Sequence, residues 1–503
     1  MHRLLHWRWN PLHQSGALAS WLLLVLFVTG TYLLLFYRVG APAASVQRIA
    51  ADPIFGAWVR TLHRYATDAF LLAAGLHALR FIGQSREWGP RALAWVSGVF
   101  LVGVGLACAW TGFVMAWDSF GLRLAVAGAD LFDVLPILSE PVGRMFAGDS
   151  QPPQAFFFLN LFVHIALPLA MGAGLWLHTS RVARPTLAPP PVLKWSATAL
   201  LTLVAVVMPA PLGPAADGLA LPATTPLALT SAWWLPLAEA SEPWLTWVAL
   251  ASLTVLTLAV PWLARRPREG SWAPSWVNPR LCTGCDQCTQ DCPWGAIQMV
   301  PREDGDERLV ALVDPERCVS CGICAGSCAP MGVGPPGRTG RDQLATTRDT
   351  TLPALADRTR DQRVVVVRCT EGSAGLARRL RAAGALLHDI ACVGNLHSSV
   401  VELLVRQGAA GVLVLGCPPR DCVGREGPKW LEQRFYHDRE AELQDRVDRS
   451  RVAVATAALG CDDEALESFE QFRRQVLTLQ APVEEASVVL QEACVPAALE
   501  EEP

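Results

Sequence analysis

Residues 58–80 read WVRTLHRYATDAFLLAAGLHALR, with His63 and His77 standing 14 residues apart. On an α-helix, 14 steps of about 100° return to within about 40° of the start and climb about 21 Å. The two histidines therefore share one helix face, one in each leaflet of a hydrocarbon layer about 30 Å thick. A second apolar run, 156–178, carries His164 and His178 at the same interval. Both helices run the same way, so His63 pairs with His164 near the outer face and His77 with His178 near the inner face. Gly16 and Gly30, and Gly98 and Gly112, repeat the 14-residue interval. A flat macrocycle held between two histidine-bearing helices needs its other two neighbours to approach closely, and glycine removes the side chain that would clash. A lone intramembrane histidine reads as a packing or hydrogen-bonding residue. Four histidines and four glycines on one interval point to two bis-histidine b haems.

The rest of the chain frames this unit. It has 503 residues, 51% of them hydrophobic and 17% charged, with a net charge of -4. Those values exclude a disordered chain and a nucleic-acid binder by bulk charge, and the length predicts about three domains. Charges are sparse as far as Pro267 and dense afterwards, and of 15 cysteines only Cys108 precedes residue 268. The first half reads as membrane and the second as soluble, metal-binding and held in a reducing compartment. Six spans are expected, at 17–37, 58–80, 93–116, 156–178, 193–212 and 244–264. The first is too long for a signal-peptide core and is expected to stay uncleaved. Arg80, Arg86, Arg91, Arg181, Arg184 and Arg265 cluster on one side. That bias places the N-terminus and the whole C-terminal half in the cytoplasm, on a cell inner membrane.

Cys282, Cys285, Cys288 and Cys292-Pro293 form C-x2-C-x2-C-x3-C-P, and Cys318, Cys321, Cys324 and Cys328 repeat the spacing with Ala329 before Pro330. In this pattern three close thiolates hold one cluster and the fourth crosses to the other. One [4Fe–4S] cluster is therefore expected on Cys282, Cys285, Cys288 and Cys328, and another on Cys318, Cys321, Cys324 and Cys292. Zinc is the simpler occupant of clustered cysteines, but two copies of the three-spacer pattern favour iron. Further on, short apolar strands alternate with amphipathic helices, a parallel α/β pattern. The strands are expected at 364–367, 385–390, 411–415 and 452–456. Cys369, Cys392 and Cys417 each follow a strand, with Cys422 five residues beyond, so the four thiols can meet at one sheet edge. Cys461 is a fifth candidate. Buried apolar cysteine is the ordinary alternative.

Three resemblances bear on these readings. Trp58-Val59-Arg60-Thr61-Leu62-His63, His77-Ala78-Leu79-Arg80 and His164-Ile165-Ala166-Leu167-Pro168 resemble the cytochrome b family of quinol-oxidising complexes over about residues 9–185. The likeness implies two b haems in a four-helix bundle, with Arg60 and Arg80 near haem propionates. It also marks departures. Ala116-Trp117-Asp118 stands where the family has Pro-Trp-Gly, and Ser231-Ala232-Trp233-Trp234 where it has Pro-Glu-Trp-Tyr. The family glutamate that takes protons from quinol is thus Ala232. Residues 278–332 resemble bacterial-type ferredoxins. Residues 364–434, through Gly411-Val412-Leu413-Val414-Leu415-Gly416-Cys417-Pro418-Pro419-Arg420-Asp421-Cys422, resemble the delta subunit of methyl-viologen-reducing hydrogenases. That likeness implies a [2Fe–2S] cluster, here on Cys369, Cys392, Cys417 and Cys422, and a heterodisulfide-reductase-type flavoprotein as partner. The family's first motif has more cysteines than the single Cys369.

The expected organisation is a multidomain chain. Residues 1–190 form a cytochrome b-like dihaem membrane domain and 191–270 two further membrane helices. Residues 271–332 form a small α+β ferredoxin domain, 333–361 a linker, 362–480 a parallel-sheet iron–sulfur domain and 481–503 an acidic tail. No catalytic base, nucleophile or nucleotide-binding loop is evident. The expected function is a membrane-anchored electron-transfer subunit between quinone and a cytoplasmic flavoprotein or dehydrogenase. A self-contained quinone oxidoreductase with an altered quinone site is the alternative, and a homodimer stays open.

Overall fold

The computed structural model describes residues 10–83, 92–136, 140–146, 152–180, 186–217, 228, 230–263, 273–303, 305–370, 372–458 and 460–479. The acidic tail 481–503 and several of the arginines used to orient the chain, among them Arg86, Arg91, Arg181, Arg184 and Arg265, lie outside the described residues. The chain divides into two units, residues 7–267 and, in the main, 268–503.

The first unit is helical: α1 Ser15–Phe36, α2 Pro42–Ala51, α3 Gly56–Gly83, α4 Ala92–Ala116, α5 Ser119–Asp133, α6 Gln154–Ser180, α7 Pro191–Val207, α8 Leu235–Ala240 and α9 Pro243–Leu263. Among the described residues, α1, α3, α4, α6 and α9 are long and apolar enough to cross a membrane. The expected span at 193–212 is α7 instead, 17 residues long. It stops at Val207 because Pro209 and Pro211 lack the N–H groups that further turns need. Helices α1 and α4 pack along α3 and α6 respectively. Gly16 lies against His77 and Gly30 against His63, so α1 is antiparallel to α3; Gly98 against His178 and Gly112 against His164 set α4 antiparallel to α6. Leu23, Phe70 and Met171, midway between the histidine levels, are buried in one apolar cluster. Gly105 lies against Phe70 at that level.

The second unit begins with two small antiparallel pairs. β1 Trp276–Val277 joins β4 Val333–Gly334, and β2 Ile297–Val300 joins β3 Val310–Val313. Two one-turn helices, α10 Gln287–Gln290 and α11 Ile323–Gly326, carry Cys288 and Cys324. A four-stranded parallel sheet follows: β5 Val364–Cys369, β6 Leu386–Ile390, β7 Gly411–Gly416 and β8 Val452–Thr456, in the order β6-β5-β7-β8. Val366 pairs with Leu387 on one side and Leu413 on the other. Every residue of β5 and β7 is buried, as a parallel strand covered on both faces requires. Helices α14 Ala374–Ala382, α15 Ser398–Arg406, α16 Gly427–Tyr436 and α17 Asp462–Leu479 supply the cover.

Residues 333–361, expected as a linker, are folded. They contribute β4, α12 Gly340–Thr346 and α13 Leu352–Ala356, joined by a π-helical turn at Thr347–Thr351. Thr339 and Asp342 form a capping box that starts α12. Leu355 is buried with Val365 and Val367, and Leu344 and Leu352 pack on the same core. The Gly, Pro and Thr content that read as a linker instead supplies caps and a tight entry, while three leucines carry the apolar face.

Candidate functional site

At the first pair of histidines the ring centroids of His63 and His164 are 6.4 Å apart; at the second, those of His77 and His178 are 6.5 Å apart. A metal–imidazole bond of about 2 Å on each side, plus about 1.1 Å from ring nitrogen to ring centre, separates two trans imidazoles by about 6 Å. The residues fit one iron per pair. The glycines fit as well. A methyl at Gly16 would lie 2.8 Å from the His77 ring, at Gly112 2.9 Å from His164, at Gly30 3.2 Å from His63 and at Gly98 3.3 Å from His178. Each glycine thus leaves room for the imidazole itself.

The structure adds residues that sequence reasoning passed over. A hydroxyl immediately precedes each glycine: Ser15, Thr29, Ser97 and Thr111. The Thr29 Oγ1 lies 2.8 Å from His63 Nδ1, Ser97 Oγ 3.0 Å from His178 Nδ1 and Thr111 Oγ1 3.0 Å from His164 Nδ1. Ser15 Oγ donates to Leu12 O at 3.0 Å. The His164 Nδ1 is also 3.0 Å from Cys108 O, which can only accept. Nδ1 must carry the proton, and the Nε2 lone pair is left for a metal. Thr29, Ser97 and Thr111 each donate their own hydroxyl hydrogen to a helix carbonyl, so they accept from the imidazole too. Pro168 adds a further device. It has no N–H for the carbonyl of His164 four residues back, and Cys108 Sγ donates to that oxygen at 3.8 Å. The signal was present: the Ser/Thr-Gly dipeptides repeat at the same interval as the histidines.

Arg60 and Arg80 each stand three residues from a histidine. Arg60 donates to Ala210 O at 2.9 Å and Pro211 O at 3.3 Å, and Arg80 to His13 O at 2.9 Å. They tie α3 to neighbouring backbone. One residue beyond His63, Arg64 forms an ion pair with Asp68, and Thr230 donates to the same carboxylate. Ser231 and Ala232, the next residues, are buried. Asp118 caps α5 by accepting from Gly121 N and takes a second bond from Gly213 N, both at 2.9 Å.

In the second unit the eight motif cysteines fall into two groups. Cys328 faces Cys282 and Cys285, and Cys321 and Cys324 face Cys318 and Cys292; Cys288 faces Cys282, Cys285 and Cys328 and also meets Cys324, where the two groups adjoin. Backbone N–H groups point at three sulfurs: Gly332 at Cys328 (3.2 Å), Ala296 at Cys292 (3.4 Å) and Ser275 at Cys318 (3.3 Å). Burial raises the thiols of Cys288, Cys321 and Cys328, and pushes Cys324 up to about 12. Thiols packed this closely and out of water ionise together only against a cationic metal core. Among the described residues no three His, Cys, Asp or Glu close on the position of a single ion; a cubane takes one thiolate at each of several corners.

Cys369 ends β5, Cys417 follows β7 directly, and Cys392 lies two residues past β6. Because β6 and β7 flank β5, the chain reverses direction across the sheet between β5 and β7, where a crevice opens at the carboxyl edge. Cys392, Cys417 and Cys422 form one buried cluster there, and Cys369 Sγ lies 3.3 Å from Ala391 O beside Cys392. The hydrogen bond from Cys392, with burial, holds the Cys422 thiol well above its ordinary value. Cys461 is buried at the entrance to α17.

Comparison with known proteins matches these three regions. The family cytochrome b/b6/petB matches residues 7–183, the 4Fe-4S dicluster domain residues 281–332, and the methyl-viologen-reducing hydrogenase delta subunit residues 364–480. Cytochrome b6 of Heliobacterium mobile is 34% identical over 175 residues, covering 34% of this chain and 81% of that protein. Cytochrome b6 of Heliobacterium modesticaldum is 30% identical over 167 residues, 33% of this chain and 78% of that one. A chain of a hyperthermophilic respiratory complex III aligns with a TM-score of 0.41 at 18% identity, over 50% of this chain and 75% of that chain. The cytochrome b domain implies haem b and the dicluster domain implies [4Fe–4S] iron, in a multi-pass membrane protein that carries electrons. The chain belongs to the cytochrome b/b6 family, with a 4Fe-4S dicluster domain and a hydrogenase delta-subunit domain fused behind its membrane helices.

Proposed function

We propose that this chain is the membrane-anchored subunit that links a quinone pool to a cytoplasmic flavoprotein or dehydrogenase. Its carriers are two b haems on His63/His164 and His77/His178, two [4Fe–4S] clusters on the crossed cysteine sets, and a [2Fe–2S] cluster on Cys369, Cys392, Cys417 and Cys422. The observation that supports it most is the pair of imidazole separations, 6.4 and 6.5 Å, each with a glycine opposite every ring. Arg60 and Arg80 serve as propionate partners, because a guanidinium matches a carboxylate. With the 17-residue α7 counted as a sixth, short crossing beside the five longer helices, both termini lie on the cytoplasmic side of an inner membrane. An electron moving from the inner haem to the outer one then travels with the membrane potential, a full crossing being worth about 2.3 kcal/mol per 100 mV. The potential favours the soluble partner as donor.

The full-length chain with its co-purified partners tests this reading. Cys417→Ser is expected to abolish haem reduction driven by the reduced soluble partner and to leave quinol-driven haem reduction intact, read in the haem absorption bands. Partner-driven reduction at the wild-type rate would place the docking and entry point elsewhere.

One observation favours the second reading, a quinone oxidoreductase with its own altered pocket. Ala232 removes the glutamate that the cytochrome b family carries, yet Asp68 reaches Thr230, two residues before that position. An ionisable residue within a membrane helix, paired with Arg64, marks a functional position. Asp68→Asn is expected to slow quinol-driven haem reduction by about 100-fold, the usual contribution of a positioned proton acceptor, with haem content unchanged. Wild-type quinol kinetics in this variant would reduce Asp68 to a structural ion pair.

A further inference from the structure

The ferredoxin motifs and the C-terminal sheet belong to one folded unit, and the interface between them is built around bare backbone. A carbon placed on Gly424 would stand 3.4 Å from Cys321 Cβ and 3.4 Å from Cys392 Sγ, so those two atoms are no further apart than twice that distance. The same point is 3.8 Å from Cys422 Sγ. At Gly427 the added carbon would press to 2.6 Å from Cys392 Sγ and 3.1 Å from Cys422 Sγ. Cys321 comes from the second ferredoxin motif; Cys392 and Cys422 come from the sheet edge. No side chain stands between them at these two positions.

The surrounding bonds hold that approach. Asn395 Nδ2 donates to Gly322 O and to Arg338 O, both at 3.0 Å. The fully buried Arg434 donates to Ser327 Oγ at 3.0 Å and Gly394 O at 2.8 Å. Arg439 pairs with the buried Asp291, one residue before Cys292. Arg338 donates to Ser320 O at 3.0 Å, and its guanidinium is an electrostatic neighbour of Cys321, Cys324 and Cys318 and also of Cys392. A cation near two electron-rich groups eases their close approach.

We propose that Gly424 and Gly427 are positioning residues that set the sheet-edge cysteines directly against the second ferredoxin motif, so that the C-terminal cluster exchanges electrons with the cluster on Cys318, Cys321, Cys324 and Cys292. The cluster on Cys282, Cys285, Cys288 and Cys328 is then the outer end of the unit, consistent with its exposed Cys285. The step moves one electron: the cluster on one side is oxidised, its neighbour is reduced, and no bond or proton changes. A reduced flavin on the soluble partner supplies the electron. This inference rests on the ligand sets proposed above.

Paramagnetic resonance of the full-length chain reduced with dithionite tests it. In the wild type the C-terminal signal should be split or fast-relaxing through coupling to the second-motif cluster. Cys324→Ser should abolish that coupling, and Cys288→Ser should leave it. Gly424→Leu, which wedges a branched side chain between the two thiols, should weaken the coupling at full iron content. Gly427→Ala should lose the C-terminal iron, because its methyl would sit on Cys392. A C-terminal signal that is the same whether the second-motif cluster is reduced or oxidised overturns the contact. So does coupling lost in Cys288→Ser but kept in Cys324→Ser. If Cys417→Ser changes no iron content at all, the ligand set itself fails, and the contact fails with it.

Discussion

His77→Ala is expected to remove one of the two proposed haems and leave the other. The variant removes one imidazole of the inner pair, whose rings stand 6.5 Å apart, and touches nothing in the outer pair. The layer of Leu23, Phe70 and Met171 separates the two levels, so the loss should stay local. Pyridine haemochrome assay of the purified membrane protein would show about half the wild-type haem, by the count of ligand pairs. Gly16→Leu should act in the same direction from the opposite helix, because even a methyl there would lie 2.8 Å from the His77 ring. Full haem content in His77→Ala would overturn the bis-histidine assignment. Equal loss from both sites would show instead that the four helices assemble only as one unit.

Cys328→Ser is expected to remove a cluster from the other motif. Cys328 belongs by sequence to the run that begins at Cys318, yet it lies in the group of Cys282, Cys285 and Cys288. Its loss should take about four of the eight cubane irons, the share held by one set of four thiolates. The signal that disappears should be the one that also disappears in Cys288→Ser. If Cys328→Ser instead silences the same signal as Cys324→Ser, the crossing does not occur. His397 lends the variant a structural check. It lies 3.2 Å from Cys328 O and is pushed to about 4 by burial and by Arg434. That contact is to the main chain, so it is expected to survive the substitution.

The proposed sites differ in how far the sequence could show them. Histidine and glycine intervals are legible because a helix converts a spacing into a face and a height. Cysteine motifs are legible because all but the last cysteine of each run stand within a few residues of one another in the chain. The strands ending at Cys369 and before Cys417 also read directly, since runs such as Val364–Val367 and Gly411–Leu415 are continuously apolar and bounded by turn residues. Residues 340–356 did not read as helices. Their three leucines gain a partner only when β5 and β6 are already in place beside them.

The sequence by itself determined which side chains are candidates to bind metal, and on which element each sits, because those properties depend on local period and on residue chemistry. Only the tertiary structure decided the contacts between distant segments. Thr29, Ser97 and Thr111 meet their histidines across 34 to 81 residues, Thr230 meets Asp68 across 162, and Arg434 meets Ser327 across 107. Nothing in a local pattern records such a meeting. It arises when burial drives the apolar faces together and each polar group left inside must find a partner.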